Sequence, residues 1–348
     1  MNNYKKIILG VVLLGLVGMA VFAYNVYQTF FGPNTNFTSE NYEVLIPTGA
    51  DYNEAFHIIA DAVEDRDAFH NTAVRKGYHK NVKPGRYLLR PGMNNNEIIN
   101  TVRSVNVPVK LRFNNQERLE DLAGRIAMQI EPDSLSLLMA MQDPTFLKAH
   151  GFTRENALAM YLPNQYDTYW NSSATEFRDK MLRQYQAYWN SNRLQKAARL
   201  EMTPQEVVTL ASIVHKETAK VDERPRVAGV YINRLESGIK LDADPTVIYA
   251  KKMADNDFNQ VIKRVLYKDL VIDQPYNTYR NAGLPPGPIV TPDLSAIDAV
   301  LNHEDHGYYF FVADVENFGY HKFARTLSQH NANAAAYRRW ANERKITR

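Results

Sequence analysis

Residues 203–218, TPQEVVTLASIVHKET, hold the strongest local signal in this 348-residue chain. Thr203, Pro204 and Glu206 form a capping box with proline at the first helical position, which predicts a helix starting at Pro204. Counting about 100° per residue from Val207, residues Leu210, Ala211, Val214 and Thr218 share one largely apolar face. Glu217 lies on the edge of that face and Lys216 on the opposite side. A carboxylate aligned with a buried stripe either pairs with a cation for structure or is kept desolvated, so that its pKa rises toward neutrality. The second state is what a general acid needs, and spacing alone leaves both open.

Composition narrows the classes around this helix. With 45% hydrophobic and 23% charged residues the chain can bury a sizeable core and is expected to form two domains, not one. The 41 basic and 38 acidic residues leave a formal charge of +3, and no basic block with interleaved aromatics suggests a nucleic-acid groove. Nucleic acid is therefore not an expected partner. The absence of cysteine excludes a disulfide scaffold, thiolate-held metal centres and a thiol nucleophile. It also leaves the chain indifferent to an oxidising compartment. The 21 tyrosines suit sugar binding, though half-buried surfaces use tyrosine just as readily.

The N-terminus sets the compartment. Residues 7–23, IILGVVLLGLVGMAVFA, form an apolar run preceded by Lys5 and Lys6 and followed by Tyr24, Tyr27, Phe30 and Phe31. That run just reaches bilayer-spanning length, and the lysines predict a cytoplasmic N-terminus with the rest of the chain across the membrane. The rival is a secretory signal cleaved before Tyr24, with Val21 and Ala23 as the small-residue site. The uncleaved anchor is favoured, and both readings export the rest of the chain. Residues 32–39, GPNTNFTS, read as a short linker.

A strand at Tyr42–Pro47, an amphipathic stretch near Asn53–Val63, a strand at Gly85–Leu89 and a helix capped by Asn94–Asn96 predict a small α+β module. Val107–Asn114 alternates as a strand, Leu119–Ile130 and Asp133–Gln142 are helical by spacing, and Glu176–Ala198 reads as one long polar-faced helix.

Beyond the central helix, distinctive segments recur in order: Glu223-Arg224, VYINRL at 230–235, LDADPTVIY at 241–249, YNTY at 276–279, GLPPGPI at 283–289 and YFFVAD at 309–314. His321 with Phe323 and the Ser328, His330, Asn331 cluster come after them. Together with LASIVHKET at 210–218 this series resembles the MltG-type (YceG-like) endolytic murein transglycosylases, densely over residues 203–337 and more loosely before. The resemblance implies a membrane anchor, a small module resembling LysM and a catalytic domain that cuts peptidoglycan glycan strands between MurNAc and GlcNAc, with no cofactor. The implied layout is an α+β chain with a cytoplasmic stub and transmembrane helix over 1–31, a linker over 32–41, the LysM-like module over 42–106 and the catalytic domain over 107–348. Implied partners are the glycan strands, the bacterial inner membrane through residues 7–23 and the synthases that make those strands, with the catalytic domain periplasmic.

The family's catalytic glutamate falls on Glu217. Two positions depart from the pattern: His215 stands where the family usually has a second Glu, and Asn164 where it more often has Asp. The family's reaction uses the muramic acid 6-hydroxyl as nucleophile, so one carboxyl group can donate a proton and then take one back, giving a 1,6-anhydro end without water. Most glycosidases divide the work between two carboxylates; intramolecular attack gains from proximity and dispenses with one.

The remaining candidates are substrate-binding residues: Asn233, Asp244, Thr246, Tyr276, Asn277, Tyr279 and His321. Each has a structural alternative. Asp244-Pro245-Thr246 can cap a helix, YNTY can be a packed aromatic turn, and His321 or His330 can hold a backbone carbonyl. Arg234 reads as an internal ion-pair partner. The His303-Glu304-Asp305-His306 run fits neither HExxH nor a calcium loop, so no metal is expected. Ser212 near His215 lacks the G-x-S-x-G elbow of a Ser/His pair. Two other functions stay open: a glycoside hydrolase in which a carboxylate such as Asp244 activates water, and a non-catalytic peptidoglycan-binding scaffold.

Overall fold

The computed structural model describes residues 3–343 and separates into two compact units. Residues 1–2 and 344–348, the ends of the expected anchor segment and catalytic domain, lie outside the described residues. The fold is mixed α+β, with short two-stranded sheets among many helices.

The first unit runs to Leu111 and also takes in Gln129–Pro132 and Asp167–Ser173. It opens with α1 (Asn3–Phe31), whose apolar side chains from Tyr4 onward are unburied; by length and composition it is able to cross a membrane. β1 (Tyr42–Ile46), α2 (Tyr52–Ala60), α3 (Arg66–Arg75), β2 (Gly85–Leu89) and α4 (Asn95–Ser104) come next. β1 and β2 pair antiparallel, with Tyr42 opposite Leu89 and Ile46 opposite Gly85. Val44, Ile46, Tyr87 and Leu89 point inward from this pair against Ile59, Phe69, Ile98, Ile99 and Val102 of the helices. Each helix start is fixed locally: Asp51 and Asp65 cap α2 and α3, and Asn94 with Glu97 builds a capping box on α4. The helix α3 was not read from the sequence.

The segment after α1 is not the free linker its composition suggests. Asn34 is 4% exposed. Its amide donates to Asn95 Oδ1 at 2.6 Å and to the Asp65 carbonyl at 2.9 Å, and its Oδ1 accepts from Asp65 N at 2.7 Å. Asn95 in turn donates to the Thr29 carbonyl at 2.7 Å. The polar residues that look like solvated linker are hydrogen-bond fillers for buried backbone groups.

The second unit begins at Arg112, inside β3 (Val109–Phe113), and its Phe113 stacks on Tyr166 of β4 (Asn164–Thr168) at 5.7 Å. Between these strands lie α5 (Leu119–Ala127), α6 (Ser134–Met141) and α7 (Pro144–Ala149). After them come α8 (Ala174–Tyr188), α9 (Ser191–Arg199), α10 (Pro204–Glu217), α11 (Arg224–Glu236), α12 (Asp244–Ala254) and α13 (Leu294–Leu301). The unit ends with β5 (Phe310–Ala313), β6 (His321–Ala324) and α14 (Leu327–Glu343). The single helix expected over 176–198 is two: Asn190 accepts from Arg193 N at 3.1 Å and starts α9 afresh. Nor is α8 only solvated surface, since it buries Phe177, Met181, Leu182 and Tyr185.

The Thr203–Glu206 capping box and Pro204 start α10 as the sequence predicts. Burial goes further than one face. Every residue from Val207 to Val214 is buried, because α9, α11, α12 and α13 all pack against this helix. Its polar residues are satisfied internally: Thr209 donates to the Gln205 carbonyl at 2.8 Å, and Ser212 donates to the Thr209 carbonyl at 2.7 Å while accepting from Ile289 N at 3.1 Å.

Replacing Asn34 by Ala would strand buried partners and is expected to cost about 1–3 kcal/mol. Thr38→Ala, at an exposed position of the same segment, is expected to change stability by less than about 0.5 kcal/mol. Urea unfolding of the two variants in detergent, followed by circular dichroism, checks the difference; equal effects would contradict it.

Candidate active site

α10 delivers Glu217 as its last residue, and Thr218 leaves the helix in extended conformation. The buried helix thus brings one carboxyl group to the floor of a cleft of about 540 Å³. Tyr231 and Arg234 of α11, Asp242, Asp244, Tyr279, Phe310, Phe311, His321 and His330 line the same cleft. The Tyr231 hydroxyl donates to Glu217 Oε1 at 2.6 Å. Glu217 keeps partial access to the cleft but is crowded by protein elsewhere. That loss of water raises its pKa to about 7; the Tyr231 hydrogen bond and His321 pull it down, and the Asp244 charge adds to the rise. Tyr231 is itself pushed well above the usual phenol range by burial and by Glu217, so its hydroxyl keeps its proton and remains a donor.

One wall comes from the β5–β6 hairpin, in which Phe310 pairs with Ala324 and Ala313 with His321. Phe311 meets the Tyr231 ring edge-on at 5.9 Å and the His321 ring at 4.9 Å. His321 is clamped by Glu223, whose Oε1 accepts the His321 backbone N–H at 2.7 Å while Oε2 lies 2.9 Å from Nδ1. Burial pushes the Glu223 carboxyl up, but the His321 hydrogen bonds outweigh it and hold the group below the ordinary glutamate range. With Nδ1 engaged, Nε2 is the ring nitrogen left for another partner. His330 stacks on Phe310 at 5.3 Å, and its buried Nδ1 has no hydrogen-bond partner among the described residues.

The opposite side is held by ion pairs and a hydroxyl. Arg234 Nη2 donates to Asp242 Oδ2 at 2.6 Å and Nε to the Lys240 carbonyl at 2.9 Å, the internal pairing its sequence position suggests. Asp242 adopts a left-handed backbone conformation, φ 47°, which aspartate tolerates better than most residues. Asp244 is the first residue of α12 but does not cap it; its exposed carboxylate accepts the Tyr279 hydroxyl at 2.7 Å.

Of the sequence-predicted residues, Glu217, Asp244, Tyr279 and His321 meet in this cleft. Asn233, Thr246, Tyr276 and Asn277 do not line it, because their polar groups are already spent on the protein. Asn233 donates to the carbonyls of His306 at 2.7 Å and Tyr308 at 2.9 Å. Thr246, fully buried, donates to the Ala243 carbonyl at 2.7 Å and lies 2.8 Å from the Thr278 hydroxyl. Asn277, equally buried, donates to Leu270 O at 3.0 Å and Ile272 O at 2.9 Å, and accepts from Tyr279 N at 3.1 Å. Tyr276 packs on Tyr249 at 4.7 Å and donates to the Glu155 carbonyl at 3.3 Å. Tyr231, Glu223, Asp242 and Phe311 join the site without having been singled out. The only sequence signal for them was membership in VYINRL, Glu223-Arg224, LDADPTVIY and YFFVAD.

Other motifs lie outside the cleft. His215 Nδ1 is 3.3 Å from Asp293, which Arg224 also holds at 3.1 Å; burial, ahead of the opposing Asp293 charge, lowers the His215 pKa. His306 Nε2 lies 2.9 Å from the Arg226 carbonyl, and Glu304 pairs with Arg226 at 2.9 Å. In the 283–287 loop, Leu284, Pro285 and Pro286 line a separate cleft of about 730 Å³, where Glu206 is committed to the α10 cap. A Cβ at Gly287 would land on the Glu155 carbonyl oxygen, which is why the loop can lie so close there.

Three comparisons bear on this geometry. The model of the YceG-like family matches residues 44–336. The chain is 27% identical to the endolytic murein transglycosylase of Bacillus subtilis (strain 168) over 321 residues, 86% of each protein. It is 35% identical to the endolytic murein transglycosylase of Streptococcus pneumoniae over 136 residues, 39% of this chain and 24% of that protein. The crystal structure of a yceG-like protein from Listeria monocytogenes superposes with a TM-score of 0.56 at 28% identity, covering 85% of this chain and 99% of that one. With the family model spanning most of both units, the chain belongs to the YceG-like family.

Proposed function

We propose that this chain is a membrane-anchored endolytic murein transglycosylase that cleaves nascent glycan strands, with Glu217 as general acid and then general base. The observation that carries the reading is the half-buried Glu217 carboxyl group, which accepts the Tyr231 hydroxyl at 2.6 Å and lines an open cleft, in a chain whose relatives are named for that activity; burial there pushes its pKa up to about 7. A group half-protonated near neutrality can give a proton to the leaving oxygen and then accept one from the muramic acid 6-hydroxyl. Asp244, Tyr279 and His321 face the sugar, while Asn233, Thr246, Tyr276 and Asn277 brace the loops that present them. α1 is the inner-membrane anchor with its N-terminus cytoplasmic, and the catalytic domain is periplasmic. The strand–helix–helix–strand order of β1, α2, α3 and β2 supports a LysM-like glycan-binding module. Its partners on this reading include the synthases whose product it cuts.

Mass spectrometry of uncrosslinked glycan strands incubated with the full chain in detergent tests the chemistry. Ends in 1,6-anhydromuramic acid are expected from the parent, and a loss of about 10³-fold or more from Glu217→Gln. Reducing ends would make the protein a hydrolase; unchanged cleavage by the variant would remove Glu217 from the chemistry.

The pH dependence has a definite sign. Glu217 must carry its proton at the start, so kcat/KM is expected to fall as pH rises through about 7. The Tyr231 hydrogen bond favours the ionised form, so Tyr231→Phe is expected to move this alkaline limb to higher pH while lowering the maximal rate. A limb that stays in place would show that Tyr231 does not act on Glu217.

A further inference from the structure

We propose that Asp244, held by Tyr279, is a second catalytic carboxylate of the cleft, stabilising positive charge at the anomeric carbon while Glu217 handles the protons. The proposal rests on the transglycosylase reading above and adds a residue that reading does not require.

Two carboxylates delivered by different helices line one cleft in opposite environments. Glu217 is crowded by protein and bonded to Tyr231. Asp244 is exposed, accepts the Tyr279 hydroxyl at 2.7 Å and sits at the first position of α12, where unpaired backbone N–H groups favour an anion. Tyr279 is held above the ordinary phenol range by burial and by Asp244, so its hydroxyl stays a donor. Two structural uses of Asp244 are absent: the residue makes no side-chain cap on α12, and among the described residues it has no cation partner within ion-pair distance. The nearby Arg234 is taken by Asp242 instead. An uncompensated carboxylate anchored by one hydroxyl in a sugar-sized cleft is what a developing cation needs, and paired carboxyl groups in contrasting environments divide acid and electrostatic roles elsewhere.

The step balances without another reagent. The bond between the muramic acid anomeric carbon and the bridging oxygen breaks, its electron pair goes to that oxygen, and the oxygen takes the Glu217 proton. The positive charge shared by the anomeric carbon and ring oxygen faces the Asp244 carboxylate. The 6-hydroxyl oxygen then bonds to the anomeric carbon, and its proton returns to Glu217.

Glu217 is faced by Tyr231 and Arg234 of α11, Asp242 and Asp244 at the start of α12, Tyr279, His321 of β6 and His330 of α14. Neutralising Asp244 alone removes a like charge from this set, so the alkaline limb should move to lower pH. The test compares parent, Glu217→Gln, Asp244→Asn and Tyr279→Phe chains in detergent on glycan strands, with thermal unfolding as a folding check. Asp244→Asn is expected to lower kcat about 10²- to 10³-fold with KM changed less than about threefold, to keep anhydro ends and to shift the limb down. Tyr279→Phe is expected to lower kcat about 10-fold in the same sense, and it decides the matter if Asp244→Asn fails to fold. A raised KM with kcat intact, or no change, would overturn the assignment while an inactive Glu217→Gln left the transglycosylase reading standing. Reducing ends from the parent would overturn both, with Asp244 then serving a water.

Discussion

The site depends on one carboxyl group held out of water at the end of a buried helix. α10 is enclosed on all sides from Val207 to Val214 and ends at Glu217, so the side chain reaches the cleft only after the helix has excluded solvent behind it. Desolvation is the largest influence on Glu217, and the Tyr231 hydroxyl moderates it. The Phe311 ring, edge-on to Tyr231, and the Glu223 clamp on His321 then shape the space in front of that group.

This arrangement has a thermodynamic sign. The folded-state pKa of about 7 lies above the ordinary value of 4.5. The protonated carboxyl therefore favours the fold fully below the ordinary value, and that contribution is lost as pH rises through about 7. The difference is on the order of 2 kcal/mol after allowance for the group's partial access to solvent. The proposed acid is thus kept at a cost to stability near neutral pH. His321 works the other way: its hydrogen bonds hold the Glu223 carboxyl ionised, so that pair contributes above the ordinary glutamate range and is lost on acidification.

Much of this was legible in the sequence, for local reasons. The Thr203–Glu206 box, the Asn94 cap and the Gly85–Leu89 strand were read correctly because caps and alternation are short-range signals. The break at Asn190 was not, since an asparagine inside a polar helical pattern looks the same whether it caps or continues. Asn233, Thr246, Tyr276 and Asn277 have the right chemistry for sugars, but the same amides and hydroxyls satisfy buried carbonyls, and spacing cannot tell the two uses apart. Spacing put Glu217 on the edge of an apolar face, whereas the helix is buried all round; only packing from α9, α11, α12 and α13 reveals that. Tyr231 and Glu223 carried no separate signal because their roles come from contacts across 14 and 98 residues.

The most direct measurement of the central claim is the ionisation of Glu217 itself. A carbon-13 carboxyl NMR titration of the glutamate-labelled chain in detergent, with Glu217→Gln subtracted to assign the resonance, is expected to give a midpoint near 7. A midpoint at the ordinary value of 4.5 would mean that the helix end is not desolvated, and that the carboxyl is not a proton donor at neutral pH.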